Sequence, residues 1–504
     1  MRLPQGGGSH MEGAQFRMGL NGLDLAVILA YLLGVTAFGL RFRKHQRSLK
    51  DYFLADRQIP WWAISLSIVA AETSTLTIIS VPGLAYETNF AFLQLVLGYL
   101  VGRGIISLIL IPQYFRGELV TAYQLIERRF GEKLRTLTAG LFLITRAAAE
   151  GVRVFAVAMV VGIALSSVLS GMSDFWRDVS AIAIVSALTM IYTFEGGMTA
   201  VIWTDVVQLF IYVGGTLVGL FTILHLVPGG WSTVQSIAGS AGKFRVFDFS
   251  WNFHITYTFW SGVIGGTFLT MATHGTDQLI VQRLLAARNE RQSQVALLTS
   301  GVAVFAQFWL FLLVGAMLFV FYKLVPPAAP FARTDTIFPT FIVTRMPHGV
   351  SGLLISAVLA AAMSNLSSAL TALSSTTVVD FYGRWQPAAN EAQRVRVSRN
   401  ATVGWGLVLF VLAILARHGG RALEVGLSIA SVAYGSLLGV FLLGVLTKRA
   451  SERGAMIGML VGFLLNALLW LFTRIPFTWY VALGSLATFV VGYGMSLLLP
   501  AATN

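Results

Sequence analysis

About thirteen blocks of roughly 20 to 30 apolar residues run along the chain, and each can cross a hydrocarbon core of about 30 Å as a helix. They fall near 22–41, 61–83, 90–114, 136–168, 178–194, 199–227, 253–274, 294–325, 348–379, 400–417, 422–446, 453–473 and 476–499. Only helices and closed barrels satisfy their backbone inside a bilayer. The blocks are continuously apolar and do not alternate, which disfavours a barrel. The sequence therefore predicts an all-α polytopic membrane protein. Only 11% of the 504 residues are charged, where about 25% is usual for soluble proteins.

The net charge of +13 points to topology here, and not to nucleic acid, because the basic residues cluster between the blocks. With the N-terminus outside, cytoplasmic loops carry 21 Lys and Arg and outside segments 11. This predicts a multi-pass protein of the plasma (inner) membrane with its C-terminus in the cytoplasm. Residues 1–20 read as a flexible N-terminus, in which Gly8-Ser9-His10-Met11 resembles an expression remnant. No cysteine is present, the seven histidines lack metal-ligand spacing, and no P-loop lysine motif occurs. No nucleophile–base constellation appears, so an enzyme is not expected. Small residues recur at helix-packing spacing, as in Gly98/Gly102, Gly215/Gly219, Gly262/Gly266 and Gly454/Gly458/Gly462.

Charges at membrane depth are costly and tend to mark function. The second block carries Glu72 at its middle, hydroxyls at Thr73, Ser74, Thr75, Thr77 and Ser80, and Pro82-Gly83 beyond. This suits a helix interrupted at mid-bilayer, where freed carbonyls coordinate a cation. The alternative is a structural Glu72 paired with Arg103. The fourth block places Arg146, Glu150 and Arg153 on one face. Glu150 neutralises one arginine, which leaves a spare guanidinium suited to a carboxylate. A buried structural triad is the other reading. Asp205 lies inside the sixth block, and Ser364, Ser367 and Ser368 share a face in the ninth. Several oxygens at modest total charge suit a hard monovalent cation. The two oxygen-rich stretches fall at similar depth.

Five segments in order resemble the sodium/solute symporter family: DYFLADRQIPWW (51–62), VTAYQLIERRFG (120–131), GGMTAVIWTDVVQ (196–208), GTDQLIVQRLLAAR (275–288) and YGSLLGVFLLGVLTKRASERGAMIGMLVG (434–462). The resemblance implies a five-plus-five inverted repeat with a discontinuous first core helix. Residues 61–227 would form one repeat and 253–446 the other. Residues 21–60 would be a peripheral helix and loop, and 453–499 two peripheral helices. It also implies a sodium site formed by the Ala70, Thr73 and Ala361 carbonyls and the Ser364 hydroxyl. Its fifth position is Asn365, where Ser or Thr is usual. Glu72 falls where proline symporters carry a sodium-linked Asp, and is expected at the substrate.

The site residues look like those of bacterial sialic acid and monocarboxylate symporters. A second sodium site then matches Asp205, Ser364, Ser367 and Ser368. Arg153 matches the arginine that clamps the substrate carboxylate, and Ser74 and Thr77 match substrate-facing hydroxyls. Galactose-type symporters carry a Glu-Gln pair where this chain has Ser74-Thr75. The expected function is sodium-coupled import of a small organic solute, a carboxylate such as a sugar acid or monocarboxylate, by alternating access. One or two sodium ions would be used, and a monomer would suffice. A neutral sugar or amino acid is the alternative substrate. A membrane sensor or a sodium channel is the alternative from another class.

Overall fold

The computed structural model describes residues 20–40, 57–116, 119, 122–164, 171–192, 198–327, 329–418 and 421–499. Within them the chain is helical. We number the principal helices α1 (Gly22–Leu40), α2 (Trp61–Glu72), α3 (Thr75–Glu87), α4 (Leu93–Ile109), α5 (Glu132–Ala164), α6 (Asp174–Tyr192), α7 (Met198–Leu226) and α8 (Gly230–Ser240). The series continues with α9 (Phe259–Gly275), α10 (Gln278–Leu285), α11 (Glu290–Leu324), α12 (Val350–Thr376), α13 (Glu391–Leu415), α14 (Ala422–Leu446), α15 (Glu452–Phe472) and α16 (Tyr480–Leu498). Each of the thirteen apolar blocks coincides with one of these helices or, for the second, with the pair α2 and α3. Among the described residues, seven helices are long and apolar enough to span a membrane, and the α2–α3 pair makes eight. The expected loop at 41–56, the N-terminal 1–19, and the opening residues of three sequence segments (51–56, 120–121, 196–197) lie outside the described residues.

The second block is interrupted, and its two halves meet at 62°. The interruption falls at Thr73–Ser74, not at Pro82, which lies inside α3. Pro82 removes one helical donor, but the helix continues through it and packs tightly. A Cβ on Gly315 of α11 would meet the Pro82 carbonyl at 2.2 Å.

Glycines set the close approaches. A Cβ on Gly98 of α4 would lie 2.6 Å from the Gly262 carbonyl of α9, and one on Gly266 would lie 2.2 Å from the Leu95 carbonyl. Gly458 meets the Thr488 carbonyl of α16 in the same way, at 2.5 Å. Overpacking of such contacts costs about 1–3 kcal/mol. Gly266→Ala is therefore expected to lower the melting temperature of the detergent-solubilised protein by forcing α4 from α9. An unchanged melting temperature would mean that the two backbones do not touch there.

Helix α1 is fastened to α12 by Asp24, a residue absent from the sequence candidates. Asp24 is fully buried and its carboxylate sits on the N-terminus of α12. It accepts from the Gly349 amide at 2.7 Å and the Gly352 amide at 3.1 Å, and lies 2.7 Å from His348 Nδ1. An anion is favoured at a helix N-terminus, where amides are unpaired. Gly349 has φ of 85°, a left-handed conformation that suits glycine.

Candidate functional site

The break between α2 and α3 frees backbone oxygens in a defined way. The Thr73 amide bonds the Val69 carbonyl at 2.9 Å, and the Ser74 amide turns back to the Glu72 carbonyl at 3.0 Å. The Thr77 and Ile78 amides both bond the Ser74 carbonyl. Among the described residues, no backbone amide reaches the carbonyls of Ala70, Ala71 and Thr73. Uncommitted carbonyls inside a membrane protein must face a cavity, water or a cation. Two of the three are the carbonyls the family resemblance picks out, Ala70 and Thr73. The Thr73 hydroxyl is engaged elsewhere and donates to Gln307 Oε1 of α11 at 2.9 Å.

A small cavity opens beside the break. Ser74, Thr75, Glu150, Arg153 and Asn365 line it, so α3, α5 and α12 all contribute. The volume open to the centre of a water molecule is about 10 Å³, room for one water. Asn365 and the carboxylate-clamp candidate Arg153 thus share one wall-to-wall space with Ser74. Thr75 ties α3 to α12 by donating to the Val358 carbonyl at 3.2 Å. Thr77 does not line the cavity. It is buried, and its hydroxyl points back to the Glu72 carbonyl at 3.4 Å. Ala361, Ser364, Ser367 and Ser368 lie on α12, and their side chains are outside the described residues.

Arg153 is one-third exposed and bonds Glu150 Oε1 at 2.5 Å. The same oxygen holds Arg146 at 2.9 Å. The sequence reading left one guanidinium over, but the structure supplies a second carboxylate. Asp277, the N-cap of α10, lies 3.3 Å from Arg146 Nη1 and accepts from the Tyr434 hydroxyl at 2.8 Å. Two guanidinium groups and two carboxylates close the cluster at zero charge.

Glu72 is turned away from the cavity. It pairs with Arg103 of α4, and His274 Nε2 lies 3.4 Å from the same carboxylate oxygen. Arg103 is almost wholly buried, donates to Ser300 at 3.3 Å, and lies 3.2 Å from His274 Nε2. The structural alternative given for Glu72 is the arrangement seen, with His274 added. A lone histidine in an apolar block carried no signal for that role.

Asp205 is buried on α7 and accepts from the Ser67 hydroxyl at 2.7 Å and from Arg283 of α10 at 3.0 Å. Arg283 Nε also donates to Ser67 at 2.9 Å. In this arrangement a guanidinium holds the carboxylate that the resemblance assigns to a second cation. Among the described residues no group of three or more His, Cys, Asp or Glu is placed to hold a metal ion.

The model of the "Sodium:solute symporter family" matches residues 52–462. The sodium/sialic acid symporter NanT of Aliivibrio fischeri is 29% identical over 94% of this chain and 92% of its own length. The sodium/sialic acid symporter SiaT of Proteus mirabilis is 28% identical over 93% and 94%. The human sodium/iodide cotransporter is 28% identical over 88% of this chain and 69% of its own. Among solved structures, a substrate-bound, outward-open Na⁺-coupled sialic acid symporter superposes with a TM-score of 0.82 at 27% identity. That match covers 96% of this chain and 99% of the other. The nucleobase-cation symporter Mhp1 shares the fold alone, with a TM-score of 0.58 at 12% identity over 90% and 96%. The break, the inverted-repeat fold and the breadth of the family match agree: the chain belongs to the sodium:solute symporter family and is a multi-pass, sodium-coupled symporter, not an enzyme.

Proposed function

We propose that this symporter imports a small organic carboxylate, of the sialic acid or monocarboxylate type, and that Arg153 receives the carboxylate. The observation that carries this is one cavity shared by Arg153, Ser74 and Asn365 next to the uncommitted break carbonyls. A planar guanidinium with a water-facing fork matches a carboxylate. The relatives named for sialic acid fit the same chemistry. Sodium at the Ala70, Thr73 and Ala361 carbonyls, with Ser364 and Asn365, would bridge α2 and α12. It would favour the state in which the cavity opens outward, and its differential affinity for the two states would drive the cycle. A second sodium at Asp205, Ser364, Ser367 and Ser368 would share the Asp205 carboxylate with Arg283 and Ser67, which both bond its Oδ2.

With room for one water, the cavity must widen to admit any organic acid. We assign the two repeats to 61–227 and 253–446, with the N-terminus outside, the C-terminus cytoplasmic and the chain in the plasma membrane.

The test is a melting curve in sodium and in choline across acids, sugars and amino acids. A ligand at 100 times its Kd stabilises by about 2.7 kcal/mol. Stabilisation by a sialic acid or pyruvate in sodium alone is expected. A shift with a neutral solute and none with any acid would overturn the carboxylate reading.

A further inference from the structure

Among the described residues, three buried charge sets near the break pair carboxylates with guanidinium groups. Glu72 faces Arg103, Asp205 faces Arg283, and the Arg153 cluster pairs two guanidinium groups with Glu150 and Asp277. Asp277 does not line the cavity. It reaches Arg153 only through Arg146 and Glu150, by contacts of 3.3, 2.9 and 2.5 Å in turn. Its carboxylate accepts from Arg146 and the Tyr434 hydroxyl at Oδ2 and from the Leu279 amide at Oδ1.

A carboxylate that docks on Arg153 adds one negative charge to a cluster already at zero. An uncompensated charge in a water-poor interior is strongly disfavoured. A cation arriving at the neighbouring carbonyls removes the imbalance. We propose that Asp277 is the residue that makes acid binding depend on sodium, by bringing the Arg153 cluster to zero charge before substrate arrives. Without the Asp277 charge the cluster would stand at plus one, and the acid alone would balance it. Asp277 is thus a positioning and charge-setting residue, acting through Arg146 and Glu150. This rests on the carboxylate reading of Arg153.

The experiment measures binding of N-acetylneuraminate, or pyruvate if the former does not bind, to the full chain in nanodiscs, in sodium and in choline. The matching carboxamide is the neutral probe. For the unaltered protein, replacing sodium by choline is expected to weaken the acid about 100-fold, within the usual range of site–site coupling. Asp277→Asn is expected to bind the acid in choline far better, so that the ratio falls to about tenfold or less. Asp277→Glu restores the ratio, and the carboxamide's sodium dependence does not move. A merely structural role would weaken both probes in both salts. If Asp277→Asn does not fold, Glu150→Gln removes the same charge one link nearer and must show the same fall. A sodium-to-choline ratio unchanged in a folded Asp277→Asn or Glu150→Gln overturns the proposal. Equal binding of acid and carboxamide by the unaltered protein sinks the carboxylate reading itself, a distinct outcome.

Discussion

Arg103→Ala is expected to leave little folded transporter. Arg103 is almost wholly buried and meets Glu72, His274 and Ser300, so its loss takes the guanidinium from the Glu72 carboxylate. Removing one member of a buried pair costs about 3–5 kcal/mol; here the Glu72 charge loses its guanidinium and keeps the His274 ring at 3.4 Å, with little water. That is a large share of a typical stability of about 5–15 kcal/mol. The position matters as well. Glu72 ends α2 one residue before the break, so the pair fixes α2 against α4 where the helix has lost its own hydrogen bonds. Monodisperse yield by size exclusion, and the melting temperature of what survives, read the effect. Glu72→Gln combined with Arg103→Gln removes both charges and should recover part of the loss, as coupled neighbours do. If Arg103→Ala is as abundant and as heat-resistant as the unaltered protein, the pair carries no stability.

That pair also shows what a sequence can and cannot disclose. The helices of the thirteen apolar blocks were legible because an apolar run of about twenty residues has few other fates. The break was legible from the Glu72 carboxylate and the hydroxyls at mid-block, and it lies there, at Thr73–Ser74, while Pro82 passes within a continuous helix. A proline removes one bond, whereas the turned-back Ser74 amide frees several carbonyls at once. Arg146, Glu150 and Arg153 were legible as one face because their spacing is local. Asp277 was not, because its pairing with Arg146 spans 131 residues of sequence and exists only in the folded chain. The partnership of Asp24 with His348 spans 324 residues and was equally hidden. Local periodicity fixes which residues share a helix face. It carries no information about which distant helix neutralises the charge on that face.

Arg153→Ala is expected to abolish measurable acid uptake while leaving the protein folded. The asymmetry with Arg103 follows from burial and partners. Arg153 is one-third exposed, and Glu150 keeps Arg146 at 2.9 Å after Arg153 is gone. Hydrogen bonds to charged groups contribute about 1.5–3 kcal/mol each. Loss of a carboxylate clamp worth about 3 kcal/mol weakens the acid roughly 100-fold. The truncated cluster also stands at minus one, which repels an anion further. A carboxamide of the same acid feels neither charge term and should lose far less. Arg153→Lys keeps the charge but not the planar fork, so it should retain part of the acid selectivity. Sodium-driven uptake in proteoliposomes, with acid and carboxamide in parallel, reads the difference. Equal losses for the two would mean that Arg153 serves only to hold Glu150 in place, and that another group meets the substrate.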